Sequence, residues 1–119
     1  MNRIIITGNH LEISESIKKF IKMKFSRLLH RYEDIIRMRV ELNLESGKAH
    51  EKRFVTRAII ELRGPDIVAA SVSDNAYASL DATLRKVERQ LRHRVLRARF
   101  KREQIINRMR PSLVMPASL

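Results

Sequence analysis

The sequence contains no cysteine, which excludes disulfide bridges and thiolate-bound metal and suits a reducing compartment. The cytoplasm is accordingly the expected location. Its three glycines are not clustered, so no glycine-rich loop is available to cradle a nucleotide phosphate. The four histidines, His10, His30, His50 and His93, are dispersed without ligand or nucleophile spacing. No metal, cofactor, small-molecule substrate or catalytic residue is therefore expected. No apolar run approaches the roughly 20 residues needed to span a bilayer, and residues 1–7 lack the longer apolar core and cleavage site of a secretion signal. Neither export by a visible signal nor a membrane-embedded segment is expected. Acidic residues are scarce as well: 13 Asp and Glu stand against 25 Lys and Arg, a formal net charge of +12.

What remains is one small basic domain. A length of 119 residues allows a single modest core. An apolar fraction of 44% is that of a folded chain, not of a disordered basic tail. A field of this sign attracts polyanions, and nucleic acid and anionic membrane are the leading candidates.

Residues 3–7 read as a strand because isoleucines and threonine run together, with Gly8-Asn9 as a turn. Ser14 can cap the following helix, and Glu15 in its first turn favours the dipole. Ile17, Ile21, Phe25, Leu28 and Tyr32 recur at helical spacing as a buried stripe. In residues 36–44 strict alternation turns Ile36, Met38, Val40, Leu42 and Leu44 one way and Arg37, Arg39, Glu41 and Asn43 the other. Residues 45–52 read as a hairpin loop, residues 54–63 as the next strand, 63–66 as a turn and 67–72 as a short returning strand. Asp74 is the expected cap of a long second helix, with Tyr77, Leu80, Leu84, Val87, Leu91, Val95 and Ala98 as its apolar stripe.

The periodicity weakens past Phe100, and Pro111 and Pro116 bracket a segment with no structural signal. The expected organisation is a domain over 1–102 and a short basic, flexible tail over 103–119. The expected fold is α+β, in the order β-α-β-β-β-α: a four-stranded mixed sheet with two helices packed on one face.

On a wheel of about 100° per residue, Lys86, Arg89, His93 and Arg97 share the side opposite the second helix's apolar stripe. Arg85, Arg92 and Arg99 extend that face one way, Arg94 and Lys101 the other, and only Glu88 offers local neutralisation. Like charges three and four residues apart repel by a few tenths of a kcal/mol per pair, so the face costs stability unless a polyanion binds. Lys24, Arg27 and Arg31 form a second row on the first helix, and the two helices together could border one continuous basic groove. Phe20, Phe25, Tyr32, Phe54 and Tyr77 take core positions, leaving Phe100 as the one unassigned aromatic. That scarcity argues against a sheet that stacks bases and for recognition of folded RNA by shape and backbone.

Three segments then resemble one family. Ile6-Thr7-Gly8-Asn9-His10-Leu11-Glu12-Ile13-Ser14, Lys24-Phe25-Ser26-Arg27-Leu28, and Tyr77-Ala78-Ser79-Leu80-Asp81 followed by Lys86-Val87-Glu88-Arg89-Gln90-Leu91 are similar to motifs of the bacterial ribosome hibernation-promoting factors and the related ribosome-associated inhibitor, protein Y, in short form. The resemblance implies a fold like that of double-stranded-RNA-binding domains. It also implies binding to the small ribosomal subunit and its rRNA at the decoding region of the assembled ribosome, blocking messenger and transfer RNA under stress or in stationary phase. Lys24, Arg27, Lys86 and Arg89 match basic motif positions. Arg31, Arg92, Arg94 and Arg97 extend them by charge and phase, and Asp81 matches a family position that a local helix-supporting role would equally explain. A general RNA chaperone or structural ribosome-associated protein is the alternative. A membrane-surface helix is disfavoured because the apolar stripe is needed for the core.

Overall fold

A computed structural model describes residues 3–46 and 52–109. Six elements follow one another: β1 (Ile4–Asn9), α1 (Glu15–Arg31), β2 (Ile35–Ser46), β3 (Lys52–Leu62), β4 (Ile67–Ser73) and α2 (Ala76–Met109). The strands make one sheet in the order β1-β2-β3-β4. β1 lies parallel to β2, as a strand-helix-strand connection requires, and the other pairs are antiparallel. α1 lies against β1, and α2 lies against β3 and β4. This is the expected β-α-β-β-β-α fold with both helices on one sheet face.

Alternation selects that face. Met38, Val40 and Leu42 of β2, Ala58 and Ile60 of β3, and Ile67 and Ala69 of β4 are buried against Ile21, Phe25 and Leu28 of α1 and Leu80, Leu84, Val87 and Leu91 of α2. Ile17 and Tyr32 complete the first stripe as half-buried neighbours of this core. Ser14 caps α1 as expected, its Oγ accepting from the Ile17 N–H at 3.2 Å.

Local expectations change at five places. Gly8 and Asn9 are not a turn; they continue β1, pairing with Leu42 and Asn43, and the chain turns at His10 with φ of 60°. Glycine is required at position 8 because a Cβ would come within 2.8 Å of both the Ile13 side chain and the Leu11 carbonyl oxygen. In β2 a register shift between Ile35 and Arg37 turns Ile35 into the core and leaves Ile36 50% exposed. Glu45, Ser46 and Lys52 belong to the strands of the long hairpin, while 47–51 lie outside the described residues.

The cap of α2 is Asn75, not Asp74: Asn75 Oδ1 accepts from the N–H groups of Tyr77 at 2.8 Å and Ala78 at 3.3 Å. Finally, α2 continues past Phe100 to Met109. Residues 101–109 contain neither glycine nor proline, and a solvated helical turn needs no apolar periodicity. Residues 110–119, with Pro111 and Pro116, lie outside the described residues. Among the described residues no helix is long and apolar enough to cross a membrane, and no three acidic or histidine side chains are grouped to hold a metal.

Candidate nucleic-acid interface

The basic surface depends on how α2 is seated, and hydroxyls seat it. Ser79 Oγ donates to the Ser71 carbonyl of β4 at 3.0 Å and lies 2.7 Å from Thr56 Oγ1 of β3. Since a hydroxyl has one proton, Thr56 is the donor to Ser79. Thr83 Oγ1 donates to the Ser79 carbonyl at 2.9 Å. Thr56, Ser79 and Thr83 are fully buried, and their small side chains bring the first turns of α2 close to β3 and β4. These pins fix the rotation of α2 and thereby the direction of every later arginine.

Phe20 of α1 meets Tyr77 of α2 edge to face, with ring centroids 5.0 Å apart. The Lys24 ammonium stands 5.8 Å from the Phe20 centroid, and the Arg31 guanidinium 5.8 Å from that of Tyr32. Lys24 is half-buried, whereas Arg27 and Arg31 are exposed. The first-helix row therefore runs beside α2 along one of its flanks. Tyr77 itself is 40% exposed and Val95 37%, so the expected apolar stripe of α2 is buried only from Leu80 to Leu91.

The second row occupies the other flank. Lys86, Arg89, Gln90, His93, Arg94 and Arg97 line an open cleft of about 550 Å³ together with Ile67, at the edge of the sheet. The Lys86 ammonium donates to the Ala70 carbonyl of β4 at 2.6 Å, so Lys86 does not stand opposite the core as the wheel suggests. Arg31, Glu33 and Asp34 instead line a separate cleft with Val95, Arg99 and Arg102. The expected continuous groove is thus two clefts, one on each flank of α2.

Arg94 lines both clefts. It is half-buried, and its Nη1 is buried without a protein partner. It shares the helical phase of Val87 and Leu91 and closes the end of the core, where a desolvated guanidinium N–H favours an anionic acceptor. Arg89, Arg92 and Arg97 are exposed, Arg89 and Arg97 on the open wall of the cleft beside β4. Arg85 pairs with Asp81 at 3.1 Å, four residues away, which gives Asp81 the local role. Glu88 makes no ion pair among the described residues, so neutralisation within α2 comes from Asp81.

The opposite sheet face differs in character. Arg37 and Arg39 both pair with Glu61, at 3.1 and 3.2 Å, and Ile5, Val68 and Val72 are exposed beside them. Arg37 and Arg39 thus share one carboxylate, Arg57 on the same face is exposed, and along α2 only Arg85 is paired among the described residues. The sequence pattern missed Arg99 and Arg102 as partners of Arg31 because helical phase alone does not reveal that α1 ends beside them.

Residues 4–99 match the family described as sigma 54 modulation protein / S30EA ribosomal protein. The chain belongs to this family. Among its relatives, the ribosome hibernation promoting factor of Salmonella typhimurium is 31% identical over 90 residues, covering 75% of this chain and 90% of that protein. The ribosome hibernation promoting factor of Escherichia coli K12 is 30% identical over 86 residues, covering 72% and 85%. A ribosomal subunit interface protein from Coxiella burnetii superposes with a TM-score of 0.66 at 24% identity, covering 78% of this chain and 97% of that one. The N-terminal domain of Thermus thermophilus Protein Y gives 0.62 at 20%, covering 78% and 98%. These two likenesses show the fold. The family is one of ribosome-associated proteins without enzymatic activity.

Proposed function

We propose that this chain is a ribosome hibernation factor that occupies the small ribosomal subunit at the decoding region and silences translation under stress or in stationary phase. Messenger and transfer RNAs are excluded by occupancy, and no bond is made or broken. In this reading Arg89, Arg92 and Arg97 on the outer side of α2, with Lys24, Arg27 and Arg31 on α1, bind rRNA phosphates. Lys86 and Arg94 contribute from the flank at β4. The protein acts on assembled ribosomes in the cytoplasm.

The observation that carries the reading is that the exposed cations Arg27 and Arg31 of α1 and Arg89, Arg92 and Arg97 of α2 lie within the residues matched to a family whose relatives are named ribosome hibernation promoting factors. Co-sedimentation with purified ribosomes and cell-free translation test it: the chain should travel with small subunits at moderate salt and reduce protein synthesis. Replacing Arg89, Arg92 and Arg97 together by glutamate should weaken ribosome binding by roughly a thousand-fold or more, at about 1.5–3 kcal/mol per charged hydrogen bond, with unchanged circular dichroism. Lys86 is left out of that variant because its ammonium bonds to Ala70. Unimpaired sedimentation of the variant would refute the interface. Constitutive residence in translating polysomes would instead favour a general RNA-binding component of the ribosome.

A further inference from the structure

Phe100 is 61% exposed and Leu96, one turn earlier, 62%. Phe25 is buried, and Phe20, Tyr32 and Phe54 are half-buried; Tyr77, at 40% exposure, is held by Phe20. Phe100 is therefore the one aromatic ring among the described residues that is largely open and has no aromatic partner. Its position is specific. Nine residues after Leu91, it points about 180° away from the core stripe and falls between the phases of Arg89 and His93, with Arg97 three residues before it.

An open ring with Arg97 one turn before it and Arg99 and Lys101 on either side in sequence, though Glu103 follows one turn later, contributes little to the fold and suits a ligand that combines negative charge with a flat aromatic surface. A nucleotide has both. We infer that Phe100 is a stacking platform for an unpaired base, with Arg97 one turn before it holding the adjoining phosphate and His93 and Arg89 continuing the same track towards the start of α2. The inference rests on the reading of α2 as an RNA interface and sharpens it. A-form duplex keeps the faces of its bases within the stack, so the ligand is a bulged or single-stranded nucleotide rather than a continuous helix. The surrounding charge supplies attraction to any RNA, while the ring discriminates unpaired from paired. Phe100 lies one residue beyond the family match, on the continuation of α2 to Met109.

The chain has no tryptophan, so Phe100→Trp provides a single fluorophore at the site. Its emission should be quenched by a short single-stranded RNA and much less by the same RNA as a duplex, while Val72→Trp on the opposite sheet face stays unquenched by either. Phe100→Ala should bind the single strand about ten-fold more weakly and the duplex as the unmodified chain does, and Phe100→Trp should restore the affinity. Equal affinity of Phe100→Ala and the unmodified chain for the single strand would overturn the platform, as would an equal loss on both RNAs. So would a blue shift of the Phe100→Trp emission with rising protein concentration in the absence of RNA, which would assign the ring to a second copy. Failure of the unmodified chain to bind either RNA would overturn the interface itself, and the platform with it.

Discussion

Ser79 shows how much one hydroxyl can control. It receives a proton from Thr56 and gives its own to the Ser71 carbonyl, joining two strands to α2 at a point with no access to water. Alanine there leaves two buried polar groups short of a partner, at about 1–3 kcal/mol. Ser79→Ala should lower the urea midpoint accordingly without changing the slope of the transition. From sequence, Ser79 and Thr83 look like polar residues beside an apolar stripe, because the same letter serves a buried hydroxyl and a solvated one. What distinguishes them is the pair of strands they meet, and that is set by residues more than twenty positions away in the case of Thr56. Ile35 and Ile36 pose a similar ambiguity: both fit a strand, and only the register shift against β3 decides which enters the core.

At the level of elements, α2 has two halves with different supports. Its start is fixed by Asn75, whose carboxamide takes two N–H groups, while the Asp74 carboxylate receives only the Ser73 hydroxyl at 3.4 Å. Asn75→Ala should therefore cost about 1 kcal/mol in thermal or urea unfolding, and Asp74→Ala a few tenths at most. Both residues are good caps by type, so their order along the chain could not choose between them. Where periodicity was strong the elements were legible: the buried faces of α1 and of residues 80–91 follow the three-and-four spacing, and β2 follows alternation from Met38 onward. It was the edges that escaped. The cationic site divides similarly, since helical phase identified Arg89, Arg92 and Arg97 as outward, yet Lys86 turned to the sheet because β4 runs alongside. Beyond Leu91 the helix is supported by its own hydrogen bonds, with its side chains half-buried or exposed through Ile106.

For the whole molecule the decisive quantity is the imbalance of 25 basic against 13 acidic residues, which leaves most cations of the two helices without an ion pair among the described residues. If Lys24, Arg27, Arg31, Arg89, Arg92 and Arg97 each displace one counterion from rRNA, the logarithm of affinity should fall with the logarithm of salt concentration with a slope of about −4 to −5. Filter binding of a small-subunit rRNA fragment across a potassium chloride series measures this directly, and a slope near zero would separate the basic face from binding. The same charge distribution bears on the molecule when it is alone. β4 is an outer strand of the sheet, and an outer strand invites a second chain to add to it. The Lys86 ammonium, resting on the Ala70 carbonyl, occupies one of the bonding positions such an addition would need and would have to be buried by it. The lysine that lines the cleft beside β4 thereby also guards part of the sheet's open edge.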